Sequence, residues 1–303
     1  MRFNAQVTGV EQNNGRLTGL VVNNSETIAC DNAIFAIGHS ARDTFQYLQS
    51  IDLPLEAKPF AMGVRIEHPQ QVIDESQYGC HNPVLPPADY KLVKHLADET
   101  VYTFCMCPGG YVVAAASEEG GVVTNGMSLA DRDGENANAA LLVTLNPKDF
   151  PSDDPLAGMY WQQEIEHKAF AAGGSNYHAP AQRVADFLQG KPSAGPGSVK
   201  PTYQPGVTWC DLHSVLPVKI TNALKEALPQ LDHNLKGFAH PDSVLTAPET
   251  RSSSPVRIVR DESRQSIGLQ GLYPAGEGAG YAGGIMSAAI DGMMSAEMII
   301  DNL

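Results

Sequence analysis

Nowhere does the sequence hold an uninterrupted apolar run of the about 18 residues that a membrane-spanning helix requires. Its opening, MRFNAQVTGVEQ, also lacks the apolar core of a secretory signal. Positive charge is scarce: 20 Lys and Arg stand against 34 Asp and Glu, a formal net charge of -14. A nucleic-acid binder needs a basic face, so the reading is of a cytoplasmic protein with neither nucleic acid nor membrane as partner. Cysteine is sparse and odd in number, with Cys30, Cys80, Cys105, Cys107 and Cys210 scattered along the chain. No pair has the CxxC spacing of a zinc knuckle or thioredoxin-like site, so reduced thiols and no metal are expected. One further absence concerns glycine. No strand followed by GxGxxG precedes the first apolar strands, and Cys107-Pro108-Gly109-Gly110 and Gly120-Gly121 lack the flanking βαβ unit that gives that fingerprint its meaning.

With 303 residues and 43% hydrophobic content the chain can bury a core as one large domain or two. It is organised around Gly271 to Ile285, GLYPAGEGAGYAGGI. A short apolar run, Leu272 to Ala275, passes into Gly276, Glu277, Gly278, Gly280, Tyr281, Gly283 and Gly284. Ala288, Ala289, Met293, Ala296, Ile299 and Ile300 then recur at helical spacing. The pattern predicts strand, tight turn and helix, with one helix face buried. Glycines at a helix N-terminus let a ligand approach the backbone, and the unpaired N–H groups there favour an anionic or electron-rich group. Glu277 suits hydrogen bonds from hydroxyls. A flavin with its ribityl chain offers both features.

Ahead of this stretch, Phe3 to Val7, Leu17 to Val22 and Ile28 to Cys30 alternate between the turn signals Asn13-Asn14-Gly15 and Asn23-Asn24-Ser25, predicting a three-stranded antiparallel meander. Ala33 to Ile37 is continuously apolar, as a doubly covered parallel strand should be, and ends at Gly38 and His39. From Leu53 to Ala247, short apolar runs at 62–66, 101–104, 111–114 and 121–124 alternate with loops, among them Asn82 to Pro87, predicting a mixed sheet. Helices are expected at Trp161–Ala171, Ala179–Leu188 and Val218–Leu228, the last closed by Pro229.

Three polar clusters stand out. In Cys105-Met106-Cys107, alternate strand residues point the same way, so both sulfurs either face one pocket or are simply buried small side chains. Thr250-Arg251-Ser252-Ser253-Ser254 reads as a recognition surface for a substrate carboxylate or flavin carbonyl, or else as a solvated loop. Arg65, Glu67 and His68 form a third cluster, either substrate-facing or salt-paired on a strand face. His39 is either a contact near the flavin or a helix-capping residue.

Residues 271–292, GLYPAGEGAGYAGGIMSAAIDG, resemble the second flavin-binding motif of FAD-dependent oxidoreductases of the glutathione-reductase superfamily, with Gly276-Glu277 where that motif has a Gly-Asp pair. AIFAIG at 33–38 resembles the superfamily's return from the NAD-binding side. The whole chain resembles the C-terminal part of a bacterial group of uncharacterised FAD-dependent dehydrogenases, through AIGHSARDTF, KPFAMGVRIEHPQ, FCMCPGGYVV, TNGMS and ETRSSSPVRI. The resemblance implies an α/β fold: a discontinuous, Rossmann-like FAD-binding domain at 1–52 and 245–303 that lacks its first βαβ unit, and an inserted α+β substrate domain at 53–244. It implies a FAD-dependent oxidoreductase acting on a small organic substrate, with NAD(P)H as a possible electron donor, and a chain whose partner is the missing N-terminal portion of the same protein. The expected cofactor site is Gly38, His39, Gly276, Glu277, Gly278, Gly280, Tyr281, Gly283, Gly284 and Ile285. Cys105, Cys107 and Arg251 are the catalytic candidates, and Arg65, His68, Thr250, Ser252 and Ser253 the substrate candidates. The alternatives are a non-catalytic flavoprotein remnant or binding module, and a thiol-based redox protein using Cys105 and Cys107.

Overall fold

The computed structural model describes residues 1–80 and 84–301, so the loop expected at Asn82–Pro87 lies partly outside the described residues. In chain order the elements are β1 (Val7–Asn13), β2 (Arg16–Val22), β3 (Glu26–Ala29), β4 (Ala33–Phe35), α1 (Arg42–Ser50), β5 (Leu55–Ala57), β6 (Phe60–Pro69), α2 (Gln70–Tyr78), β7 (Val93–His95) and β8 (Thr100–Cys107). There follow β9 (Gly110–Ala114), β10 (Thr124–Ser128), β11 (Asn136–Leu145), α3 (Ala157–Ala172), β12 (Ala179–Arg183), α4 (Val184–Gln189), β13 (Val207–Trp209), α5 (Val218–Asn234), β14 (Val244–Glu249), β15 (Val256–Ile258), β16 (Leu272–Pro274) and α6 (Ile285–Ile300). The chain is a mixed α/β protein of two compact units. One comprises 1–60, 146–161 and 251–303, and the other 61–145 and 162–250.

The first unit holds the expected meander, β1–β2–β3, all antiparallel. Asn14, Asn23 and Asn24 adopt left-handed φ at its turns, which is why asparagine and glycine punctuate the sequence there. Strand β1 starts at Val7, and Phe3 lies exposed outside it. Strands β4 and β16 form a two-stranded parallel sheet, with Leu272 opposite Ala33 and Pro274 opposite Phe35. A third pair, β5 and β15, is antiparallel. Leu17, Phe35, Phe45, Leu48, Val256 and Leu272 are fully or almost fully buried in one cluster, each contributing ~1.5–3 kcal/mol by burial. Helix α1 buries Phe45 and Leu48 in that cluster, and Val10 N donates to Tyr47 Oη at 2.9 Å, fixing the helix on β1.

The second unit is built on a seven-stranded mixed sheet in the order β13-β12-β14-β6-β11-β8-β7. Strands β12 and β13 are parallel, while β12/β14, β14/β6, β11/β8 and β7/β8 are antiparallel. The run expected as a helix from Ala179 is instead strand β12 as far as Arg183. Pairing on both sides outweighs the weak helical period of so short a segment, and only Val184–Gln189 is helical. Helix α5 does not stop at Pro229 but carries it inside, because Ala227, Leu228 and Leu231 continue the buried stripe on both sides of the proline. The apolar run at 121–124 lies before its strand, which begins at Thr124.

Helix α6 departs most from expectation. Its buried residues are Asp291 and Ser295, whereas Ile285, Met286, Ile290, Met293, Met294 and Ile300 are exposed. The buried side is polar because Asp291 is the hub of a network: Arg260 gives it two hydrogen bonds at 2.7 and 3.0 Å, Arg264 one at 2.7 Å, and the Gly276 amide one at 2.8 Å. Hydrophobic periodicity predicted the helix, but of the residues expected on its buried face Ala288, Ala296 and Ile299 are half-buried whereas Ala289, Met293 and Ile300 are exposed.

Candidate functional site

Strands β4 and β16 run parallel, so the turns that follow them leave the same end of the pair. Ala275 N donates to Phe35 O at 3.0 Å, keeping the two chains together as they turn. Gly38 and Gly276 both adopt left-handed φ, +71° and +78°. Gly278 lies against Gly38, and a Cβ there would strike the Gly38 carbonyl, so the two turns pack through glycine backbone alone. Across this contact His39 Nδ1 lies 3.1 Å from Glu277 Oε1, with both side chains three-quarters or more buried. Burial pushes the Glu277 carboxyl up, and the Lys58 ammonium opposes that shift. Burial pushes the Lys58 ammonium down, Arg257 pushes it further, and Glu277 counteracts both.

Pairing of β5 with β15 brings Lys58 here, its amide donating to Pro255 O at 2.8 Å. The same segment carries the hydroxyl-rich loop. Arg251 Nη1 donates to Ser40 Oγ at 3.0 Å, Ser252 and Ser253 are half-buried beside it, and buried Ser254 Oγ lies 2.7 Å from Val256 O and 3.3 Å from Gly278 O. Tyr281 is fixed from the other side: the Arg260 guanidinium stacks 3.6 Å from its ring centroid, and Arg260 N donates to its Oη at 3.1 Å. Helix α6 begins immediately after Gly283 and Gly284, where nothing lies within 4 Å of an added Cβ, and no side chain caps its first turn. Its leading N–H groups carry the positive end of the helix dipole.

The first unit therefore brings together Gly38, His39, Gly276, Glu277, Gly278, Gly280, Tyr281, Gly283, Gly284, Ile285, Arg251, Ser252 and Ser253. Arg65, His68, Thr250, Cys105 and Cys107 belong to the second unit. There Arg65 is fully buried and gives five hydrogen bonds: two to Glu249 at 2.8 and 3.0 Å, and one each to Asn125 Oδ1, Asn138 Oδ1 and Cys105 O. His68 is also fully buried, with Tyr90 Oη 2.9 Å from Nε2 and Phe238 O 3.1 Å from Nδ1. Thr250 Oγ1 donates to Glu166 Oε1 at 2.7 Å. The two cysteines do not share a pocket. The β8/β11 register shifts between Asn138 and Ala140, Cys105 takes a left-handed φ of +42° and is exposed, and Cys107 is buried with its Sγ donating to Cys105 O at 3.3 Å. The irregularity breaks the alternation that would align the sulfurs. Burial pushes the Cys107 thiol up, away from thiolate.

Sequence reasoning missed Lys58, Ser40, Arg260 and Asp291. Two signals were present: Asp291 is an acid within a long apolar run, and Lys58 opens one of the family-like blocks. The assembled groups are a largely buried carboxylate braced by a histidine, several hydroxyls, the cations Lys58, Arg251 and Arg257, and an open helix N-terminus. They suit a ligand that joins hydroxyls to an electron-rich or anionic edge.

Residues 59–252 match the sequence family described as FAD-dependent protein, C-terminal domain-like. A protein of Clostridium beijerinckii, named only as an uncharacterized protein, is 48% identical over 305 aligned residues. The alignment takes in 99% of this chain and 57% of that protein.

Proposed function

The chain belongs to the FAD-dependent protein, C-terminal domain-like family, and from that premise we propose that it is the flavin-gripping part of a FAD-dependent oxidoreductase, a dehydrogenase of a small organic substrate, with the flavin held in a Rossmann-like manner at the paired turns after β4 and β16. The observation that carries this reading is the His39–Glu277 contact at 3.1 Å, which spans two glycine turns packed backbone to backbone. The donor set fits FAD, which has a hydroxylated ribityl chain, an electron-rich ring edge and a diphosphate. Bound FAD supplies two-electron redox chemistry.

The residues of this chain bind and orient. Glu277 accepts hydrogen bonds from ligand hydroxyls, and His39 fixes its carboxylate. The open backbone at Gly283 and Gly284 admits the ligand to the N-terminus of α6, whose N–H groups stabilise negative charge on it. Arg251, with Ser252 and Ser253, offers a planar fork for a substrate carboxylate. A thiol mechanism is less well supported, since burial disfavours the Cys107 thiolate and the Cys107 thiol is engaged with the Cys105 carbonyl.

Titrating FAD into the protein and following quenching of flavin fluorescence tests the assignment. Glu277→Ala removes a charge-assisted acceptor and should weaken binding by ~1.5–3 kcal/mol, about ten- to a hundredfold in Kd. His39→Ala should weaken it less. Undiminished affinity in Glu277→Ala would remove the carboxylate from the flavin site.

A further inference from the structure

A lysine drawn out of water ordinarily finds an acceptor. Lys219 does so, its ammonium 2.8 Å from Glu99 with side-chain exposures of 30% and 17%. Lys58 does not. Its amide continues the β5/β15 ladder by donating to Pro255 O, but no hydrogen bond or ion pair among the described residues answers its half-buried ammonium.

The register of the ladder explains why. With Ala57 opposite Val256 and Glu56 opposite Arg257, the side chains of Glu56, Arg257 and Lys58 stand on one face of the pair, Lys58 diagonal to Arg257. Glu56 is taken by Arg257 at 2.8 Å, so this face carries one cation more than it pairs. Acceptors are short there in general, for Arg257 Nε is buried with none of its own. Glu277 acts on Lys58 through space, favouring the charged ammonium against burial and Arg257, yet no hydrogen bond joins the two. Its Oε1 lies 3.1 Å from His39 Nδ1, and its Oε2 takes no hydrogen bond from a described residue.

We propose that Lys58 is an oxyanion-binding residue of the ligand site, and that the site takes a ligand carrying a phosphate or carboxylate beside a hydroxyl. The ammonium donates to the anionic oxygen, the hydroxyl donates to Glu277 Oε2, and the charge of Arg257 adds to the attraction. Two sources share this chemistry: the phosphate end of the hydroxylated chain in a flavin, and a small 2-hydroxy acid. The inference rests on the reading that Glu277 receives ligand hydroxyls, and it names the charge that accompanies them.

The test has two arms, both in buffer free of phosphate and carboxylate. In the first, riboflavin and its phosphate ester, FMN, are titrated into the protein and flavin fluorescence is followed. FMN should bind about tenfold or more tighter than riboflavin, an advantage lost in Lys58→Met and kept in Lys58→Arg. In the second, the melting temperature is read with glycolate and with acetate, which lacks the hydroxyl. A rise with glycolate that exceeds the rise with acetate, and disappears in Lys58→Met, assigns the ammonium to a hydroxy acid. Either result upholds the subsite and says which anion it takes. Lys148→Met, at an exposed lysine of the same unit, should change neither. Without ligand, Lys58→Met should melt no lower than the unsubstituted protein, because the ammonium it removes has no partner. A lower melting temperature would make Lys58 a prop of the fold and overturn the inference. So would the absence of both ligand effects, or their survival in Lys58→Met. If neither flavin binds, the flavin reading fails by itself: a Lys58-dependent glycolate shift still upholds the subsite, and the lack of one overturns it.

Discussion

The two units solve the problem of burying polar groups in opposite ways. In the second, Arg65 lies at the centre of a seven-stranded sheet with all five of its N–H donors satisfied, and the apolar residues around it face inward. In the first, the strands are divided among sheets of two and three, the Asp291 network is buried under a helix, and the helix's apolar residues face out. A buried ion pair is neutral evidence for stability, because desolvation offsets most of the attraction. What separates the units is whether apolar surface surrounds the polar network or is displaced by it. The candidate ligand site belongs to the first unit, where the polar network displaces apolar surface outward.

That contrast is broken first by removing Arg65. Arg65→Ala leaves Glu249 buried without its partner and should destabilise the second unit by about 3–5 kcal/mol, read as a lower urea midpoint. Combining Arg65→Met with Glu249→Leu should recover part of that loss, though not all of it, since Asn125, Asn138 and the Cys105 carbonyl lose their donors too.

The next largest effect is a pH dependence. Burial, partly opposed by the Phe238 carbonyl, pushes the His68 imidazole down to about 3. Nδ1 donates to that carbonyl and Nε2 accepts from Tyr90, so the folded state holds the ring neutral. Below the unfolded value of about 6.5 the unfolded chain binds the extra proton, and the second unit loses stability as pH falls from there towards about 3, by up to roughly 4 kcal/mol. His68→Phe should flatten this slope. An unchanged slope would show that other groups govern acid unfolding.

Much of this was legible beforehand, and the failures share a cause. The meander and the glycine turn were read correctly because turn chemistry is local: asparagine and glycine announce left-handed φ whatever lies beyond. Lys58 was not legible because its place depends on β5 pairing with β15, some two hundred residues away. Strand β12 was taken for a helix because its pairing partners, β13 and β14, lie far along the chain. The buried face of α6 was placed only in part because periodicity shows that a helix has two faces, and burial alone shows which of them this chain covers.

Asp291 sharpens the comparison from the other side. Burial raises its carboxyl, but hydrogen bonds from Arg260, the Gly276 amide and Arg264 outweigh that and hold it well below the usual carboxylate range. Its stabilisation is therefore fully present above the unfolded value of about 3.9 and is lost only as pH falls towards the folded value. Acid should loosen the second unit before the first. Asp291→Asn should destabilise the first unit by ~1.5–3 kcal/mol and, by freeing the Gly276 turn, weaken FAD binding in parallel. Loss of stability with FAD affinity intact would separate the turn from the ligand.

The smallest effect is the most informative about chemistry. Arg251 reaches Ser40 through one exposed hydrogen bond of 3.0 Å, an interaction worth about 1 kcal/mol at most at such a position. Arg251→Lys should therefore shift the melting temperature by no more than a few degrees. If the guanidinium holds a substrate carboxylate, however, Lys keeps the charge and loses the paired donors, so on the proposed oxidoreductase activity kcat/KM should fall in the Lys variant and fall further in Ala. A solvated loop gives a different result: activity equal in both variants, with only the thermal shift remaining. In that case substrate recognition would pass to Lys58 and His39, which flank Glu277 on the same unit, and Lys58→Met would become the decisive substitution.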